Sequence, residues 1–266
     1  KHAKVAIPIA FTEAFFSLVD QVSLSLMEDR DNFFGYFLMQ MSREIRFDIS
    51  SPTSVNFKGA KYVLYLNPII FLNLNLKRME STLKHEILHI VSLHLIRAQE
   101  FKARYSTLAI NMAMDIVVNT YLDYLPPYAV SLEWVNLNYS LSLLPFKPFE
   151  YYLEALQTAL DLLEADDDES DDSNGDADDN NQTDDGRKNE TIETTYNSEK
   201  THDLWEDSSA TDEKTLQEFT ENFINHAQKG SIPNYLANMI SSVKNSQGEL
   251  PWNLYLKRLL GTVESN

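Results

Sequence analysis

Apolar residues return at helical spacing from Phe11 to Glu28, and a second apolar helical stretch covers about 31–44. Between Ile45 and Phe57 proline, serine and threonine interrupt the pattern, leaving room for one or two short strands. Lys61-Tyr62-Val63-Leu64-Tyr65-Leu66 is β-branched and aromatic, follows a Lys-Gly-Ala turn and stops at Asn67-Pro68. It predicts a strand, half of a hairpin with 54–58. Asn75 suits an N-cap, and the helix after it is expected to run to about Gln99. Another helix is expected over about 107–123, ending before Pro126-Pro127.

Beyond residue 160 the pattern changes character. Residues 161–185 carry 13 Asp and Glu and no Lys or Arg. Dense like charge with little hydrophobicity cannot bury enough surface to fold, so 161–210 reads as an acidic disordered linker. It does not pass as a calcium loop: around Gly175 the first and twelfth positions are Ser170 and Asn181, where an EF-hand needs acids. Helical signals return at Thr211 to Lys229, with Gly230 as the stop, and again at 233–245 and 251–261. The expected organisation is a folded domain over 1–160, the linker, and a helical segment at 211–266 packed back on the first domain. The fold class is α+β, mainly helical with a small antiparallel sheet.

Charge and composition narrow the chemistry. The net charge of −18 is concentrated in the acidic tract; without residues 161–185, 27 acids face 22 bases, a net of −5. No clustered basic face points to nucleic acid. With no cysteine, a disulfide framework, a thiolate metal site and a Cys nucleophile are all excluded. Any metal must be held by His, Asp or Glu. No uninterrupted apolar run reads as long enough for a bilayer and no signal peptide is evident, so a cytoplasmic location without membrane contact is the expectation.

Three of the six histidines, His85, His89 and His94, lie within ten residues, and His85-Glu86-Ile87-Leu88-His89 spells HExxH. Positions i and i+4 share a helix face, so His85 and His89 can reach one Zn2+. Glu86 sits about 100° around the helix from His85, placed to act as general base toward water at the metal. A third ligand is needed. On an unbroken helix His94 faces about 180° from His85 and 140° from His89, which leaves it as the weaker candidate or as a packing or supporting group. Asp115 is the stronger. Asn111, Asp115 and Asn119 recur at i, i+4 and i+8 on an otherwise apolar helix, and a carboxylate on such a helix must find a partner. Asn111 and Asn119 are candidates to orient the ligands. Arg97 is expected to pair structurally with a nearby acid.

His85-Glu-Ile-Leu-His89, His94-Leu-Ile-Arg97 and Asn111-Met-Ala-Met-Asp115-Ile-Val-Val-Asn119 together resemble the metallopeptidase domain of bacterial MoxR-associated proteins. Asn67-Pro68, Pro126-Pro127, Pro148 to Leu156, Ala227 to Pro233 and Pro251 to Leu260 fit it as well. The resemblance covers most of 30–160 and 212–262. It implies zinc-dependent hydrolysis of peptide or protein substrates, a MoxR-type AAA ATPase as partner, and a von Willebrand factor A-like domain after the chain's end. A rival function of another class is a non-catalytic, metal-stabilised adaptor for that ATPase. Glu86 discriminates, because a purely structural zinc site has no use for it.

Overall fold

The computed structural model describes residues 7–28, 32–59, 61–170, 213–227 and 232–237. Its elements in chain order are α1 (Ile9–Glu28), α2 (Phe33–Leu38), β1 (Ser42–Ile45), β2 (Thr53–Lys58), β3 (Lys61–Leu66), α3 (Pro68–Phe71) and α4 (Leu76–Val91). They continue with α5 (His94–Phe101), α6 (Thr107–Asn119), α7 (Leu132–Asn138), α8 (Phe149–Ser170) and α9 (Glu213–Ala227).

α1 turns Phe15, Val19, Val22 and Leu26 inward at helical spacing. α2 lies so close on it that a Cβ on Gly35 would stand 2.2 Å from Met27 Cγ and 3.1 Å from the Ser23 carbonyl oxygen. Only glycine permits that approach. By length and composition α1 would also suffice to cross a membrane, but Glu13 and Asp20 interrupt its apolar run and the core helix of a globular protein passes the same test.

The expected second helix is shorter than its pattern. α2 ends at Leu38, and Ser42–Ile45 is drawn into a strand by pairing with Val63–Leu66, a long-range partner invisible to local spacing. β3 is central, with β1 parallel on one side and β2 antiparallel on the other. The sheet is therefore mixed rather than antiparallel, while the α+β class holds. The β2–β3 hairpin closes through Gly59 at φ 58, a left-handed position that suits glycine. Asn67 ties the end of β3 to its surroundings. Its Oδ1 accepts from Ile69 N at 3.0 Å, starting α3, and its Nδ2 donates to the carbonyls of Ile49 (2.8 Å) and Phe47 (3.3 Å).

One sheet face, with Val55, Phe57, Tyr62, Leu64 and Leu66, joins Leu83, Ile87 and the inward residues of α1, α2 and α6 in a single core. α9 seats on this body: Phe219 packs against Phe57 (ring centroids 5.4 Å), Phe223 against Phe37 (5.5 Å) and Tyr62 (5.2 Å). α8 continues through Ser170, ten residues into the stretch read as linker, since extending a formed helix is cheaper than nucleating one. The rest of that stretch, 171–210, lies outside the described residues, as do 251–261 and all of 233–245 beyond the helical turn at 234–237.

Candidate metal centre

α4 starts where its sequence says it should. Asn75 Oδ1 accepts from Arg78 N at 3.0 Å, capping the helix that carries HExxH. It does not run to Gln99. The helix stops at Val91, Ser92 follows, and Leu93 takes a left-handed φ of 56 before α5 begins at His94. A left-handed leucine costs about 1–2 kcal/mol. Burying the Leu93 side chain, which is 7% exposed, offsets that by about 1.5–3 kcal/mol. α5 is pinned beyond the break by an ion pair between Arg97 and Glu150, with the guanidinium 4.9 Å from the Phe149 ring centroid. That is the structural role expected of Arg97.

α6 supplies the second half of the site. Ser106 caps it, accepting from Ala109 N at 3.2 Å, and its polar stripe faces α4. Asn111, Asp115 and Asn119 are all buried. Asp115 Oδ1 lies 3.3 Å from His89 Nε2 and 3.7 Å from His85 Nε2, and those two nitrogens are 2.9 Å apart. One ligand atom from each of the three residues falls within a 4.8 Å cluster. A tetrahedral Zn2+ with bonds of about 2.0–2.1 Å holds its donor atoms about 3.3 Å apart. The three distances bracket that value, so the donor set fits such an ion.

The hydrogen bonds behind the imidazoles add to this fit. Asn119 Nδ2 donates to the Val130 carbonyl at 2.7 Å, which fixes the amide and turns Oδ1 toward His85 Nδ1 at 2.8 Å. An acceptor there requires the proton on Nδ1, so His85 Nε2 presents a bare lone pair to the cluster. Asn119 thus orients His85 rather than Asp115. Burial, then the neighbouring His89, push the His85 imidazole down to about 4 against the opposing pull of Asp115 and Asn119. Burial takes His89 down to about 3. Both rings are neutral at pH 7, the form in which imidazole binds metal.

His94 is fully buried but does not join the three. The break at Leu93 swings it to the rear of His89, where the two Nδ1 atoms are 2.8 Å apart. Glu86 is buried beside the cluster, and its Oε1 accepts from Thr53 Oγ1 at 2.9 Å. Burial pushes this carboxyl up to about 8, with Asp115 adding to the rise and Thr53 resisting it. A divalent cation alongside would draw it down again.

Sequence reasoning missed Thr53, which falls one residue before the strand read at 54–58, and the Val130 carbonyl, which no side-chain pattern reports. It also missed the hydrogen bond from Ser81 Oγ to the Asp123 carbonyl that ties α4 to the loop after α6. No curated protein and no solved structure matches the chain. Over residues 20–266 it matches the family described as "Putative metallopeptidase domain", and to that family the chain belongs.

Proposed function

We propose that the domain is a zinc-dependent, zincin-like peptidase in which His85, His89 and Asp115 hold the metal and Glu86 is the general base. One observation carries the reading: two imidazole nitrogens and a carboxylate oxygen converge from α4 and α6 beside a second buried carboxylate that metal binding alone does not require. Zn2+ bound there supplies Lewis acidity, polarising the scissile carbonyl and acidifying water. Glu86 does the proton work. Thr53 holds its Oε1, and Oε2 takes a proton from the attacking water and delivers it to the leaving amine nitrogen. Asn119 keeps His85 in the ligating tautomer throughout. Membership of the metallopeptidase family supports the same chemistry. The resemblance alone adds a MoxR-type AAA ATPase and an A-like domain as partners.

The test is Glu86→Gln, assayed on a panel of unfolded proteins with zinc supplied. Metal-dependent cleavage is expected to fall by about 10²–10⁴-fold while metal content stays unchanged. Undiminished cleavage removes Glu86 from the mechanism.

A further inference from the structure

His94 does something that a plain hydrogen-bond acceptor behind His89 would not. Four side chains form an unbroken line: His94 Nδ1 to His89 Nδ1 at 2.8 Å, His89 Nε2 to His85 Nε2 at 2.9 Å, and His85 Nδ1 to Asn119 Oδ1 at 2.8 Å. Asn119 is fixed at one end by the Val130 carbonyl, so His85 carries its proton on Nδ1. Its Nε2 is then an acceptor, and the nitrogen facing it at 2.9 Å must donate. His89 therefore carries its proton on Nε2, and its bare Nδ1 accepts from His94 Nδ1–H. Every donor in the line points the same way, from His94 to Asn119.

A metal in the His85–His89–Asp115 cluster demands the opposite at His89, whose Nε2 must be bare and whose proton must sit on Nδ1. His94 can follow only because it is a histidine. Its Nδ1 changes from donor to acceptor when its own proton moves to Nε2. The three rings hold three protons before and after, and no charge changes.

We propose that His94 is a positioning residue acting through His89, a reversible tautomeric partner that satisfies His89 in the metal-free arrangement and releases its Nε2 for a metal. A backbone carbonyl in the same place would fix His89 as Nδ1–H. Two bare lone pairs would then face each other at 2.9 Å in the empty cluster. The left-handed turn at Leu93 is what swings His94 onto His89. The proposal rests on the metal-binding reading above, and its test separates the two.

Long-range 1H–15N correlation spectra read histidine tautomers directly, first on the zinc-free protein and then after one equivalent of zinc. The expected result is His89 protonated on Nε2 without zinc and on Nδ1 with it, and His94 changing from Nδ1–H to Nε2–H in step. His94→Leu, which can neither accept nor donate, is expected to bind zinc about 10–100-fold more weakly in competition with a chelator. His94→Asn, whose amide can do either, is expected to recover most of that loss. Zinc uptake with His89 already Nδ1–H in the zinc-free protein overturns the inference and leaves the metal site standing. So does a His94→Leu variant that binds zinc as tightly as the wild type, or an Asn variant no better than Leu. No zinc uptake by the wild type overturns the metal-binding reading and this inference with it.

Discussion

Under α9, Tyr62 is buried among Phe57, Phe219 and Phe223, and its hydroxyl meets Thr220 Oγ1 at 2.6 Å. Between α4 and α6, by contrast, His89, Glu86, Asp115 and Asn119 are buried together with His94, two carboxylates among them. The first cluster is nearly all aromatic surface with one internally satisfied polar pair, and its burial contributes directly to folding. The second buries groups whose desolvation opposes folding, and no apolar surface of equal size is gained in return. One region supplies stability and the other spends it on holding groups in place. They should therefore respond oppositely to substitution.

The sharpest way to break this contrast is Asp115→Ala. Stoichiometric zinc, read by mass spectrometry, is expected to vanish, while the zinc-free protein keeps its denaturation midpoint or gains slightly as a buried carboxylate disappears. Zinc retained in this variant but lost in His94→Ala would transfer the third ligand to His94. On the aromatic side, Phe223→Ala is expected to cost about 3 kcal/mol in chemical denaturation with zinc binding intact. A loss of zinc along with that stability would mean that the two regions are coupled rather than separate. Thr53→Val lies between them in effect. Removing the donor on Glu86 should lower peptide turnover about tenfold, roughly 1.4 kcal/mol, with zinc content unchanged and Thr53→Ser close to wild type. The smallest effect is expected for Tyr62→Phe, about 1 kcal/mol of stability, because Thr220 still donates to the Leu216 carbonyl at 2.8 Å.

What the sequence discloses follows the same division. β3 was readable residue for residue, because Tyr62 to Leu66 alternate between two covered faces and no other element suits them. Asn75 as a cap, HExxH on one helix, and Asp115 in the polar stripe of another are each statements about spacing within a single helix, and spacing is written locally. The pairing of β1 with β3 is not local, so a stretch with helical periodicity to about Glu44 gave up its end to a strand. The break at Leu93 was hidden for a different reason. Chains normally mark left-handed turns with glycine or asparagine, and here a leucine adopts one because its buried side chain compensates. His94 was consequently placed on the wrong side of the helix by arithmetic that was right for a helix that continued. Thr53 and Val130 reach the site through tertiary folding alone, one from a strand and one through its backbone.

Asn67 has a consequence for how the protein ages. Asparagine side chains decay when the next residue's backbone nitrogen attacks the amide carbonyl, closing a succinimide ring, expelling ammonia and leaving an acid. At this position the next nitrogen belongs to Pro68, which has no proton to lose, so that ring cannot close in the ordinary way. The protection matters because an aspartate here would turn two donated hydrogen bonds, to Phe47 and Ile49, into contacts between oxygens. The proline that opens α3 also guards, over the protein's lifetime, the amide that fastens the sheet to the loop beside it.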